Sequence, residues 1–187
     1  MDQADDYYSR WPADFDVIEV PGIGGQIGMT GMPGETTDKL SPFMEIVDLD
    51  SQLARIKAWG ASLLLSLVQD FEYSADDFDN RIPEGIYHIK LPIVDSGIPD
   101  SSWEDSWKKE GPKARGILRE GGKICIHCVG GHGRTGTIAV RILVELGMKS
   151  FDAVKLVRGV RPKCIESSQQ WEYLETLDYK IKEKLHG

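Results

Sequence analysis

The sequence predicts an α/β domain: a central, mostly parallel five-stranded sheet flanked by helices, with a small N-terminal hairpin. Three observations carry that expectation. Segments with strand patterning alternate with segments of helical periodicity. The near-continuous apolar run Ala61 to Val68 suits a buried strand of a parallel sheet. The apolar run Lys123 to Ile126 leads into Cys128-Val129-Gly130-Gly131-His132-Gly133-Arg134, and helical spacing follows from Ile138. A glycine-rich turn there joins a strand end to a helix start.

Residues 1–14 are polar and acidic, an arm ahead of one domain spanning 15–187. Phe15 to Val20 and Gln26 to Met29 read as strands, and Pro21-Gly22-Ile23-Gly24-Gly25 turns between them as a hairpin. Asp48 caps a helix from Leu49 to Trp59, which Gly60 stops. After the buried strand, Phe71 to Phe78 reads as a short helix. Gly85 to Leu91 is a strand in which His88 is an ordinary member. Ser102 to Lys109 is helical, with Trp103 and Trp107 on one face. Gly111-Pro112 interrupts, and Pro112 opens a new helix through Glu120. Ile138 to Leu146 forms the next helix face, closed by Gly147, and Ser150 caps a helix through about Val157. Ser167 with Gln170 makes a capping box for a last helix reaching about Lys184.

The chain is 187 residues long with a net charge of −8, which fits one domain and disfavours a nucleic-acid partner. Three cysteines argue against a disulfide scaffold and fit a reducing, cytoplasmic compartment. No apolar run approaches the roughly 18 residues of a membrane span, so no membrane partner is expected. A monomer is expected.

The glycine-rich turn carries chemistry. Unpaired N–H groups and the dipole at a helix N-terminus favour an anion. Glycines 130, 131 and 133 let more N–H groups point inward, so Val129, Gly130, Gly131, His132 and Gly133 form a phosphate-binding loop. The same field favours a thiolate at its centre, where Cys128 stands, and a thiolate attacks phosphorus. Arg134 offers a planar fork for two phosphate oxygens. Thr135 places a hydroxyl near the sulfur, where it can stabilise the leaving thiolate. Other readings fit less well. Cys125 and Cys128 on one strand face opposite sides, and zinc needs four ligands. A Walker-type loop needs Gly-Lys-Ser/Thr, which is missing. A purely structural cysteine leaves the arginine unexplained.

His127-Cys128-x-x-Gly131-x-x-Arg134-Thr135-Gly136 resembles the signature of the cysteine-dependent protein tyrosine and dual-specificity phosphatases. The resemblance implies a phosphocysteine intermediate without metal or cofactor. It makes Cys128 the nucleophile, Arg134 the phosphate clamp, Thr135 the leaving-group helper and His127 a support for the loop. Ester cleavage also needs an acid on a neighbouring loop. The stretch Leu91-Pro92-Ile93-Val94-Asp95-Ser96-Gly97-Ile98-Pro99-Asp100 resembles the acid loop of the kinase-associated, dual-specificity branch. That match selects Asp95; Asp100 reads as helix-start chemistry beside a Ser101-x-x-Glu104 capping box. Ile165-x-Ser167-x-x-Gln170 resembles the segment whose glutamine positions the hydrolytic water, selecting Gln170 over Gln169. Arg161 has two readings, a solvated helix C-terminus or a substrate-steering rim. His132 departs from the apolar residue often found there; it either adds charge to the pocket or points to solvent.

The expected function is hydrolysis of phosphate monoesters on a phosphorylated protein, with tyrosine or dual specificity; the kinase-associated likeness admits a kinase as that protein. The alternatives are a phosphoinositide, nucleotide or RNA 5′-phosphate substrate, or a phosphate-binding module without turnover.

Overall fold

The computed structural model describes residues 15–34 and 48–178. The acidic arm at 1–14 and the predicted helix beyond residue 178 lie outside the described residues.

The chain order is β1 (Asp16–Glu19), β2 (Gln26–Thr30), α1 (Leu49–Trp59), β3 (Ala61–Ser66) and β4 (Tyr87–Lys90). There follow α2 (Ser101–Arg119), β5 (Lys123–His127), α3 (Gly133–Glu145), α4 (Ser150–Val160) and α5 (Ser168–Glu175). The described strands form one sheet in the order β1-β2-β5-β3-β4. β1 runs antiparallel to β2, as the hairpin predicts; the other neighbours are parallel. The mostly parallel five-stranded sheet expected from the sequence is present.

The composition of the central strands explains their place. Leu63, Leu64 and Leu65 of β3 and Ile124, Cys125 and Ile126 of β5 are wholly buried. Consecutive buried residues point to opposite faces, so both faces of the sheet are covered. Each such leucine stabilises the fold by roughly 1.5–3 kcal/mol. Capping follows the sequence at α1: the Ser51 N–H donates to Asp48 at 2.9 Å, and Gly60 takes the left-handed conformation with φ +98°.

One feature of register positions the site. Thr30 of β2 pairs with His127 of β5, His127 with Ser66 of β3, and Ser66 with Lys90 of β4. The four parallel strands therefore end on one row, and the segments leaving them meet at a single edge.

Four expectations are corrected. α2 is continuous through Pro112. Its buried face, Trp103, Trp107, Gly111, Ala114 and Leu118, keeps helical spacing across the proline, and that packing outweighs the lost hydrogen bond. Gly111 is a packing glycine: a Cβ there would lie 2.8 Å from the Trp107 ring. Glu104 does not close a capping box. Asp100 caps α2 by accepting from the Trp103 N–H at 2.8 Å, while Glu104 pairs with buried Arg141 of α3. Phe71 to Phe78 forms no helix but 3-10 turns at Asp70–Glu72 and Phe78–Arg81. On a helix the two phenylalanines, seven apart, would share a face; here Phe78 is buried and Phe71 is 81% exposed. The cap of α4 also shifts: Lys149 is its N-cap, and the Ser150 hydroxyl donates to the Leu174 carbonyl at 2.7 Å.

α3 packs so closely on the segment after α4 that a Cβ on Gly136 would lie 2.6 Å from Cys164 Cβ. In an open helix glycine-to-alanine stabilises by about 1 kcal/mol. Gly136→Ala is expected to destabilise by about 1–3 kcal/mol through overpacking, read as a lower urea midpoint at unchanged slope.

Candidate active site

β5 delivers His127 to the sheet edge, and the chain turns through Cys128 to His132 before α3 begins. Two backbone bonds moor the turn: Met32 N–H to the Val129 carbonyl at 2.9 Å, and Leu67 N–H to the His127 carbonyl at 3.0 Å. Gly131 has φ +69°, and a Cβ there would lie 2.4 Å from the Thr30 carbonyl. Only glycine fits both demands. Its N–H then points at Cys128 and donates to Sγ at 3.2 Å. Gly133 is constrained differently, because a Cβ would meet Glu166 Oε2 at 2.4 Å.

Cys128 is buried, 3% exposed, at the floor of this turn. The other two cysteines are free and sealed in the core. Burial pushes the Cys164 thiol up to about 12 and lifts Cys125 above the ordinary thiol range. Thr135 Oγ1 is buried with no hydrogen-bond partner among the described residues. His127 is wholly buried, and burial holds it down to about 3, so its ring is neutral. Its Nδ1 lies 3.3 Å from the Cys128 carbonyl oxygen. Val129 is half-buried and Gly130 exposed at the mouth of the turn. His132 is the N-cap residue of α3; it is half-buried with Nδ1 inside, so the ring does not simply point to solvent.

Arg134 sits in the first turn of α3, 2% exposed. Nη1 donates to Glu72 Oε2 at 2.7 Å, to the Ile93 carbonyl at 3.0 Å and to the Leu67 carbonyl at 3.4 Å. Nη2 donates to Glu72 Oε1 at 3.0 Å and lies 3.2 Å from Asp95 Oδ1. The Asp95 side chain is 77% exposed. It rides on a turn closed by Gly97 N–H to the Val94 carbonyl at 2.8 Å, with Ser96 at φ +59°. Gln170 bridges the two walls. Its Nε2 donates to the Gly97 carbonyl at 3.2 Å, and its Oε1 accepts from the Glu166 and Ser167 N–H groups. The capping box read from the sequence is therefore real, and the same amide ties the Asp95 loop to α5.

Arg161 does not lie on a rim. It is 3% exposed beneath the turn, where Nε donates to the Gly131 carbonyl at 2.7 Å and Nη2 to the Gly130 carbonyl at 3.4 Å. Nη1 pairs with Asp16 of β1 at 2.7 Å. A buried guanidinium facing the loop's carbonyls shapes the loop and has no open face for substrate.

Glu72 escaped the sequence reading. The available signal was a carboxylate on the segment leaving β3 at the edge where the loops gather. Ser66 escaped likewise; it is one of two serines, with Ser62, that interrupt the apolar Ala61 to Val68 run, and it touches His127.

A sequence model described as "Swiss Army Knife protein, DSP-PTPase phosphatase domain" matches residues 43–174. The chain belongs to this phosphatase family. Among curated proteins, it is 28% identical over 137 residues to protein tyrosine phosphatase type IVA 3 of Homo sapiens, covering 73% of this chain and 75% of the relative. It is 33% identical over 98 residues to tyrosine-protein phosphatase CDC14 of Saccharomyces cerevisiae, 51% of this chain but only 17% of that protein's length. A solved kinase associated phosphatase, its catalytic cysteine replaced by serine, superposes with a TM-score of 0.72 at 19% identity. That match covers 93% of this chain and 98% of the other, and it is a likeness of fold. The family's cysteine-phosphatase fold is the frame in which Cys128, Arg134 and Asp95 stand together. Among the described residues, no cluster of three or more His, Cys, Asp or Glu side chains could hold a metal. No described helix is long and apolar enough to cross a membrane.

Burial raises the cost of ionising Glu72, but hydrogen bonds from Arg134 and the Gln69 N–H outweigh it and hold the carboxyl below its usual 4.5. A lowered folded-state value stabilises above the unfolded one and is lost as pH falls through it. The stability advantage over Glu72→Gln is therefore expected to be constant from about pH 7 down to about pH 5 and to shrink only at lower pH. Urea titrations across that range check it.

Proposed function

We propose that the protein hydrolyses phosphate monoesters on phosphorylated proteins through a phosphocysteine intermediate. One observation carries the reading: the Gly131 N–H faces Cys128 Sγ at 3.2 Å, and Arg134, in the first turn of the helix that follows and within electrostatic reach of Cys128, meets Asp95 at 3.2 Å. Cys128, Arg134 and Asp95 are the proposed nucleophile, anion clamp and proton donor.

The Cys128 thiolate attacks phosphorus in line, and an S–P bond forms as the P–O bond to the leaving group breaks. Loop N–H groups and Arg134 hold the equatorial oxygens, where charge develops. Asp95 delivers its proton to the leaving oxygen. Water then attacks phosphorus and gives a proton to Asp95, and the S–P bond breaks to release phosphate and the thiolate. Thr135, with a buried hydroxyl not otherwise engaged, donates to the departing sulfur. His127 supports the loop from behind. Gln170 orients the water, for which its amide must release the Gly97 carbonyl. Arg161 acts from below by fixing the loop carbonyls.

A groove of about 480 Å³ runs between Val94, Gly97 and Ile98 on one side and Ser167 to Gln169 on the other. It opens beside Asp95 and offers room for a polypeptide flanking the phosphorylated residue.

Cys128→Ser is expected to abolish turnover while retaining phosphate binding; full activity in that variant overturns the assignment. Asp95→Ala is expected to lower kcat/KM by about 10²–10⁴ for alkyl phosphates and far less for activated aryl phosphates. The deciding experiment is phosphate release from matched phosphotyrosine and phosphothreonine peptides, with Cys128→Ser as the blank. Tyrosine-only release means a deep pocket, and release from both means a shallow one. Release from neither, with vanadate still bound, moves the substrate to a lipid or nucleotide monoester.

A further inference from the structure

A line of polar side chains runs from the surface to the back of the Cys128 loop. Asp79 Oδ1 lies 3.2 Å from His88 Nδ1. His88 Nε2 lies 2.7 Å from Ser66 Oγ, and Ser66 Oγ lies 2.5 Å from His127 Nε2. His127 Nδ1 faces the Cys128 carbonyl at 3.3 Å. Ser66 and His127 are wholly buried, whereas the His88 and Asp79 side chains are 13% and 53% exposed. The Phe78 ring centre lies 5.9 Å from both imidazoles and walls the line from one side.

Counting protons gives two arrangements. The Ser66 hydroxyl has one hydrogen and two lone pairs and stands between two Nε2 atoms; with the neighbouring buried Tyr73 hydroxyl facing one lone pair as a donor, Ser66 donates to one imidazole and accepts from the other. The Asp79 carboxylate keeps a proton on His88 Nδ1. With His88 neutral, its bare Nε2 accepts from Ser66. Ser66 then accepts from His127 Nε2–H, and His127 Nδ1 faces the Cys128 carbonyl without a hydrogen. With His88 protonated, the directions reverse: His88 Nε2–H donates to Ser66, and Ser66 donates to His127 Nε2. The single His127 proton then sits on Nδ1 and donates to the Cys128 carbonyl.

We propose that Asp79, His88 and Ser66 are positioning residues that select which nitrogen of His127 carries its proton, and so whether the Cys128 carbonyl receives a hydrogen bond. The consequence for turnover rests on Cys128 being the nucleophile; the tautomer coupling does not. A donor at that carbonyl adds the positive end of a dipole behind the thiolate. Several groups bear on His88. Burial lowers its titration below the usual 6.5, Asp79 opposes that, and Lys90, itself 2.5 Å from Asp79, assists. Lys109 and Glu110 of α2 line the groove beside it, and Arg134 bears on His127 from the far side.

The test follows ring nitrogens of the ¹⁵N-labelled chain by long-range ¹H–¹⁵N correlation between about pH 5 and about pH 8, where histidine charge changes fall. The His127 proton is expected to move from Nε2 to Nδ1 in step with His88 protonation. A His127 tautomer that stays fixed while His88 titrates overturns the proposal. His88→Gln turns its NH2 to the Asp79 carboxylate and so places an amide oxygen at Ser66 at every pH. It is expected to hold His127 in the Nε2–H form and to lower kcat/KM on an aryl phosphate about fivefold relative to wild type below the His88 titration, the worth of about one hydrogen bond. Above that titration the ratio is expected to approach one; a ratio constant with pH overturns the positioning role. Ser66→Ala is expected to leave His88 titrating with no response at His127, and a surviving response overturns the relay. Should the protein release no phosphate from any substrate, the tautomer measurement still decides the relay, and only the proposed function falls.

Discussion

A guanidinium 2% exposed must be paired, because an isolated charge out of water is strongly unfavourable. Arg134 meets that demand with Glu72, the Leu67 and Ile93 carbonyls and Asp95. These partners lie on the segments leaving β3 and β4, so one buried cation ties two loops to the first turn of α3. The arrangement depends on the sheet register that ends four strands on one row. With the register shifted by a residue, the loops would leave on opposite faces and the cation would lose its partners.

A second constraint acts from beneath. Arg161 takes up the carbonyls of Gly130 and Gly131, and Asp16 balances it from β1. Carbonyl and N–H point in nearly opposite directions along a peptide plane. Holding the carbonyls below turns N–H groups toward the site, as the Gly131 N–H facing Cys128 Sγ illustrates. The N-terminal hairpin thus contributes to the loop's shape without reaching the pocket.

Strain is concentrated at the same edge. Ser96 and Ile165 are the non-glycine residues with positive φ among those described, at +59° and +66°. One precedes Gly97 and the other precedes Glu166, and Gln170 binds both of these neighbours. A β-branched residue in that conformation is an outlier that the surrounding structure must over-determine. The Asp95 turn and the approach to α5 are held together as one strained unit, in which a single amide is shared.

What the sequence determined by itself was local. The alternation of strands and helices, the strand–glycine turn–helix around Cys128, and the caps at Asp48 and Ser167 follow from periodicity and neighbour chemistry within a few residues. The phosphatase signature sits in one such stretch, which is why Cys128 and Arg134 could be named before any fold. The tertiary structure alone decided the rest, because it depends on side chains far apart in sequence. Glu72 stands 62 positions from the arginine it pairs with. Arg161 reads as an exposed basic residue until the loop is laid over it. His88 reads as an ordinary strand member until β3 and β5 place Ser66 and His127 beside it. Pro112 reads as a helix break until the packing of Trp103, Trp107 and Gly111 is known. Spacing along the chain encodes which way a side chain faces; only strand order and register encode what it meets there.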